Sequence, residues 1–231
     1  VTIQAEKWTM TGIASYAQIG DGLPAFFVFA RLEGALGGLP AFRIEGLMGG
    51  FGFNRALAVP SLEELPDFPL LDRGAARAGS RKEDALAVLQ VLEGRAASPS
   101  GTTKQWIAPR PGSYWLAAGM RFSSFELIYG NLLAIAEFGD DLRFSLLGLA
   151  WMRLPQQASD EQSYVYAELK IAAVLRPREG TLSIRSELTP DSYLLTKDCR
   201  LTGGVAFCLW FGDNPHAGQF VLTIGGYHPA F

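Results

Sequence analysis

The chain has 231 residues, of which 48 % are hydrophobic and 12 % aromatic, and its net charge is −3. A chain of this length can bury a sizeable core, because folding removes roughly 70 % of its unfolded surface from water. Both signs of charge are scattered along it, which argues against the basic face of a nucleic-acid-binding protein. No stretch approaches the about 18 uninterrupted apolar residues of a membrane-spanning helix.

Residues 1–58 predict a block of β-strands joined by turns. Glycine and proline at residues 20–24 and 34–40 are typical of turns. The apolar, aromatic and β-branched runs between them predict three strands: Trp8–Gln18, Ala25–Leu32 and Phe42–Phe53. The third run carries four glycines, which inside a strand indicate a bulge, a bend or the close approach of another backbone.

Residues 59–112 predict a helical and loop insertion. Ser61–Glu64 matches a capping box and predicts one helical turn. Ser80–Glu83 repeats that pattern and leads into Asp84–Glu93, where leucine and valine recur at helical spacing before a capping glycine, Gly94. Arg95–Pro111 is rich in serine, threonine, glycine and proline, and it predicts a loop.

Residues 113–231 read as a long β-meander. Turn residues occur at Gly130-Asn131, Gly139–Asp141, Arg178–Gly180 and Gly212–Gly218. Between them the sequence predicts seven strands: Tyr114–Glu126, Leu132–Phe138, Leu142–Leu154, Tyr164–Leu175, Thr181–Leu188, Leu201–Phe211 and Phe220–Gly225. In Tyr164–Leu175 the alternation predicts an apolar face and a wet face that carries Glu168 and Lys170. Other strands are apolar on both faces and need cover on both.

The fold class that follows is mostly β. We expect a long antiparallel meander that forms a curved sheet, a trough, an open barrel or a sandwich, with a small helical insertion. The three parts, 1–58, 59–112 and 113–231, are expected to form one integrated domain. The chain lacks an initiating methionine and a signal peptide, and it stops just after a proline. We therefore expect a fragment of a longer polypeptide, with no compartment indicated.

The polar residues that could carry chemistry are few. His216 lies beside Asp213 in the Gly212–Gly218 loop, and His228 lies beyond the last predicted strand. That strand separates the two histidines by roughly 20 Å, too far for a shared metal or acid–base site. We interpret Asp213 and Asn214 as turn residues and name no catalytic residue, while Asp213, His216 and His228 remain a possible polar site.

The two cysteines allow two geometries. If Gly203-Gly204 forms a hairpin turn, Cys199 lies opposite Cys208 and a cross-strand disulfide is feasible. If Leu201–Phe211 is one straight strand, the cysteines are roughly 30 Å apart. The apolar run favours the straight strand, with both cysteines unpaired and acting as small core residues.

Common cofactor and nucleophile motifs are absent. The chain has no Gly-x-Ser-x-Gly elbow, and the glycine-rich Gly49–Arg55 lacks the third glycine of a dinucleotide fingerprint and the lysine of a phosphate loop. Two cysteines are too few for a common zinc site. Asp140 and Asp141 form a turn pair that is more often solvated than calcium-bound. We expect no metal and no cofactor.

Three stretches carry a resemblance to a known family: Gly49–Arg55, Tyr114–Gly119 and, most specifically, the Cys199–Gly204 and Trp210–Gly212 segments followed by His216-Ala217-Gly218 and Gly225–Phe231. The chain resembles DUF6603, a domain of unknown function found in very large bacterial and some fungal proteins. The likeness covers most of the chain. It implies that the polypeptide continues past the Tyr-His-Pro motif, and it implies no activity.

Three functional hypotheses follow. The first is a non-enzymatic module whose apolar concave face binds or transfers a lipid-like ligand. Its expected lining is Leu133, Ile135, Leu147, Leu149, Val205 and Phe207. The second is a structural wall or assembly segment of a giant multidomain protein, in contact with the rest of that polypeptide or with copies of itself. The third is a hydrolase that uses Asp213 with His216 or His228.

Overall fold

A computed structural model of the chain describes residues 1–5, 7–20, 22–71, 85–98, 100–139, 141–155 and 162–225. These residues form one open antiparallel β-meander with one small helix, which confirms the predicted fold class. The strands are β1 (Thr2–Gln4), β2 (Trp8–Ile19), β3 (Leu23–Leu39), β4 (Phe42–Leu57), β5 (Ile107–Ser124), β6 (Ile128–Phe138), β7 (Arg143–Leu154), β8 (Val165–Arg176), β9 (Thr181–Leu188), β10 (Tyr193–Leu194), β11 (Thr196–Arg200), β12 (Gly204–Trp210) and β13 (Phe220–Gly225), and the helix is α1 (Ala85–Leu92).

Eleven of these strands follow one another side by side. The hydrogen-bonded order is β1 to β9, then β12 and β13, while β10 pairs with β8 and β11 pairs with β10. Every neighbouring pair is antiparallel, and β4 pairs with β5 across the helical segment between them. We call the segment from residue 58 to 106 the insert.

Two predicted turns lie elsewhere. Gly130 and Asn131 are inside β6, and the chain reverses at Phe125 and Glu126, whose φ angles are 51° and 56°. Gly130 is needed for packing rather than turning, because a Cβ there would lie 2.7 Å from the ring of Phe122. Likewise β3 continues past Gly34 through a bulge and ends at Leu39.

The helical predictions agree with the structure where it describes them. Ser61 and Glu64 form the reciprocal capping box, with Ser61 N–H donating to Glu64 Oε2 at 3.0 Å, ahead of a short 3₁₀ turn at Leu65–Asp67. Gly94 closes α1 with a φ of +71°, and Arg95 N–H donates to Gln90 O in a Schellman motif. The second predicted capping box, Ser80–Glu83, lies outside the described residues.

The predicted loop at Arg95–Pro111 is too long, because β5 already begins at Ile107. The straight strand predicted at Leu201–Phe211 is also wrong, since β12 starts at Gly204 and pairs with β9 and β13. Cys199 lies in β11, which pairs with β10, so no Cys199–Cys208 hairpin forms either. Both cysteines are free, and Cys199 is exposed rather than part of the core.

The hydrophobic core lies between the insert and one face of the sheet. Leu65, Phe68, Leu70, Leu92 and Trp106 of the insert are each at most 3 % exposed. They pack on sheet residues that include Phe27, Phe29, Trp115, Leu133, Ile135, Leu147 and Leu149. The described residues of the insert therefore cover this face of the sheet and close the core.

Candidate functional site

The strand register assigns every paired residue to one of two faces. Directly opposed residues of an antiparallel pair project their side chains to the same side, and successive residues alternate. Leu147 pairs with Leu133 and Ala172, and these residues belong to the face under the insert, which we call the insert face. Leu146 pairs with Ala134 and Ala173, which lie on the opposite side, here called the open face.

The open face is apolar from edge to edge. One row across β5–β9 and β12 consists of Ala118, Ala134, Leu146, Ala173, Ile184 and Phe207. The neighbouring row consists of Leu116, Ala136, Phe144, Leu175, Leu182 and Leu209. Among the paired positions of the eleven strands that the structure describes, no charged residue lies on this face.

Much of this apolar surface is in contact with solvent. Leu116 is 56 % exposed, Phe51 is 42 % exposed and Ile224 in the edge strand β13 is 73 % exposed. No residue in the described part of the chain covers them. Monomeric proteins rarely leave contiguous apolar patches larger than a few hundred Å² exposed, so this face has the character of a binding surface.

Aromatic rings form a border on the open face toward one end of β2–β5. Tyr16, Phe26, Phe53 and Tyr114 lie side by side in the register. The Phe26 and Phe53 rings are stacked with centroids 5.5 Å apart, and Phe53 and Tyr114 follow at 5.1 Å. These rings add apolar contact area to the open face.

At the paired positions of the eleven strands in the meander, the charged residues lie on the insert face. Arg143 forms a bidentate pair with Glu137 at 2.5 and 2.6 Å, which raises the pKa of Arg143. Arg121 approaches Glu33 at 3.4 Å, and Lys170 approaches Glu187 at 3.5 Å. The charged residues of the sheet are thus accommodated on the insert face by ion pairs and by the cover of the insert.

The predicted wet face of β8 is therefore the covered one. Glu168 is fully buried and Lys170 is 5 % exposed. The capping-box segment of the insert lies close to this face of β8. The pKa of Glu63 is lowered first by hydrogen bonds to its own backbone N–H and to Ser61, and then by the positive charges of Arg185 and Lys170. The prediction of a solvated face was wrong because the alternation of a strand does not show which face another segment covers.

The six predicted ligand-lining residues divide between the faces. Leu133, Ile135, Leu147 and Leu149 are at most 1 % exposed and form part of the core beneath the insert. Ile135 also borders the depression of the open face described below. Val205 is 40 % exposed and lies with the half-buried Phe207 on the open face.

The open face contains a depression of about 330 Å³ near its centre. The open-face side chains that line it are Leu116, Ala118, Ala134, Ala136, Phe144, Leu146, Ala173, Leu175 and Leu182. Four of the nine are alanines, so the floor is low where their side chains end and the larger side chains stand around it. This volume falls in the usual range of small-molecule sites, about 300–1,000 Å³.

The possible polar site differs from the apolar open face in its chemical character. Asp213 and His216 occupy the exposed turn between β12 and β13, where Asn214 accepts a hydrogen bond from His216 N–H at 3.0 Å. Asn214 also donates to Glu179 O at 2.7 Å, and the His216 ring lies edge-on to Trp210. These contacts make a turn, as the sequence indicates. His228 lies outside the described residues.

Metal-ligand clusters and membrane-spanning helices are two further features that can indicate function. Within the ranges that the structure describes, no cluster of three or more histidine, cysteine, aspartate or glutamate residues is placed to hold a metal ion. Asp141 accepts a hydrogen bond from Leu142 N–H, and its partner in the predicted turn pair, Asp140, is outside those ranges. No helix in the described part of the chain is long and apolar enough to cross a membrane.

A comparison with protein families shows to which family the chain belongs. The model of DUF6603, a family of unknown function, matches residues 1–231, which is the whole chain. The chain belongs to the DUF6603 family. Searches of curated proteins and of solved structures found no match to it. The family assignment confirms the resemblance carried by the glycine-rich and Tyr-His-Pro motifs, and it assigns no activity to this DUF6603 chain.

Proposed function

We propose that this DUF6603 chain binds or transfers lipid-like ligands. The hydrocarbon chains of these ligands lie on its open face. The observation that supports this most is the complete absence of charge from the paired open-face positions of eleven described strands. A partner of this face needs no charged group for complementarity. The opposite face already has its own cover.

The chemistry of the surface favours contact with hydrocarbon. Backbone N–H and C=O groups in the interior of the sheet are paired in the strand ladders, so the face offers side chains alone. Those side chains are aliphatic or aromatic except at a few positions such as Ser186 and Gln18. Each buried methylene contributes about 0.8 kcal/mol, so a lipid chain gains affinity through its length rather than through a headgroup.

The test uses a charge on the open face and a matched charge elsewhere. Leu116 is 56 % exposed on the open face, and Leu195 is 70 % exposed in the turn between β10 and β11. We expect Leu116→Lys to weaken palmitate binding at least about tenfold, which is about 1.4 kcal/mol. Leu195→Lys is expected to bind like the wild-type chain. Isothermal titration measures both.

Solvent extraction and mass spectrometry of the purified chain give an independent readout. A stoichiometric lipid that is lost from Leu116→Lys and retained by Leu195→Lys supports the proposal. A wild-type chain that carries no apolar compound and takes up no palmitate contradicts it.

A second candidate function is a structural segment that assembles through its edge. Strand β13 forms one edge of the sheet, and it carries no charged residue and no proline. Sheet edges in monomers are usually protected by such residues. If assembly is the function, sedimentation shows concentration-dependent oligomers, and Val221→Lys, on the insert face of β13, removes them while palmitate binding is unchanged.

A further inference from the structure

We infer that the depression on the open face is a trench for a single hydrocarbon chain, which runs across the strands rather than along them. This inference rests on the proposed function and adds the orientation of the ligand, the residues that select it and the number of chains held. Its basis is the shape that the strand register gives to the depression.

The trench is long across the strands and narrow along them. Its lining residues come from five consecutive strands, β5 to β9. At about 4.8 Å between neighbouring strands, these span about 19 Å. Along each strand the lining covers at most two open-face positions, such as Ala134 and Ala136 in β6, which are about 7 Å apart. A site of these proportions accommodates one extended hydrocarbon chain.

The floor and walls are set by side-chain size. Alanine occupies the adjacent positions Ala118 and Ala134, and Ala173 continues their row beyond Leu146 of β7. Leu116 and Phe144, which are 56 % and 38 % exposed, stand in the neighbouring row. The floor is low where alanine side chains end at Cβ, so a larger residue at Ala134 would fill the trench at its second strand.

The occupant is therefore one hydrocarbon chain. No charged side chain from the described residues lines the trench, and the polar Ser145 that borders it belongs by register to the insert face. A chain that lies across the strands contacts small side chains of several strands at once. The residues that determine specificity are then Ala118, Ala134 and Ala173, where added volume excludes the chain.

The first experiment is a titration of palmitate into two matched variants. Ala134→Phe blocks the trench, whereas Ala150→Phe adds the same volume to the open face in β7, outside the trench lining. We expect Ala134→Phe to weaken palmitate binding at least about tenfold, or about 1.4 kcal/mol, and Ala150→Phe to change it less than about twofold. Equal effects of the two variants overturn the trench.

The second experiment uses the wild-type chain, so it does not depend on the folding of a variant. With ¹³C-labelled alanine methyl groups, palmitate is expected to shift the resonances of Ala118, Ala134 and Ala173 together. The resonances of Ala150 and of Ala117, on the insert face, stay in place. Shifts confined to one strand overturn the orientation while leaving lipid binding intact, and a chain that binds no palmitate overturns both proposals.

Discussion

The two faces of this sheet are built from the same strands, yet they differ in what covers them. In β7, Leu146 is 41 % exposed on the open face, while its neighbour Leu147 is fully buried beneath the insert. The same contrast holds across β6, where Leu133 and Ile135 are in the core and Ala134 is exposed. In these two strands the leucine and isoleucine side chains on the insert face are buried, and those on the open face are partly exposed.

The distribution of charge runs opposite to the usual one. Antiparallel sheets commonly turn an apolar face to the core and a polar face to water. In this chain the core face carries Glu168, Lys170 and the Arg143–Glu137 pair, and the paired positions of the open face carry no charged residue. This reversal is the basis of the proposal that the open face binds an apolar ligand.

The largest effect is expected from adjacent leucines in β7. Leu147→Ala removes a fully buried side chain and should lower the free energy of unfolding by about 2–5 kcal/mol. Leu146→Ala should change it by less than about 1 kcal/mol, because 41 % of that side chain is already exposed. Urea unfolding measures both. Equal losses would mean that the two faces are equally covered.

A pair of glycines tests the same contrast at the level of one methyl group. A Cβ at Gly52 would overlap the indole of Trp115, which is 2 % exposed under the insert, so Gly52→Ala should destabilise the fold by about 1–3 kcal/mol. Gly12 on the open face has no atom within 4 Å of such a Cβ. Gly12→Ala should be neutral or stabilise by up to about 1 kcal/mol. Thermal unfolding of the two variants checks the order, and the reverse order would contradict the face assignment.

The smallest effect concerns an ion pair within the insert. Lys104 Nζ donates a hydrogen bond to Glu64 at 2.6 Å. Together with the hydrogen bond from Ser61 N–H, it lowers the pKa of Glu64 below its ordinary value. A lowered folded-state pKa gives stability that is present above the unfolded pKa and is lost as pH falls through the folded pKa.

Glu64→Gln should therefore lower the free energy of unfolding near neutral pH by less than about 1 kcal/mol, since this pair is partly exposed. The difference from the wild-type chain should shrink as pH falls below the unfolded pKa. Chemical unfolding at neutral and acidic pH measures it, and a difference that does not change with pH would show that the carboxylate charge has no role.

Much of the meander could be predicted from turn residues and alternation. The turns after Phe138 and Arg176, and the opposed faces of Leu182 and Arg185 in β9, follow from residue types alone. The Phe125–Glu126 reversal could not be predicted, because it places two residues with ordinary side chains at positive φ. Gly130 gives a turn signal although the ring of Phe122 is the reason for it.

The candidate site was harder to place than the strands. Strands β6 and β7 are apolar on both faces, so their periodicity does not say whether Leu133 or Leu132 faces the insert. The missing information is which face the insert covers, and that depends on contacts such as those of Phe68 and Leu70 with the sheet. The alanines of the trench come from different strands, so they share one row only once β5, β6 and β8 are placed in register.

The most direct test of the account is which face a bound lipid chain touches. Stearate with a nitroxide near the end of its chain broadens the NMR signals of nearby methyl groups. We expect stronger broadening of the methyls of Leu146 and Leu132 on the open face than of those of Leu147 and Leu133, one residue away on the insert face. Equal broadening of both pairs, or none with the lipid bound, would contradict the claim that the open face is the binding surface.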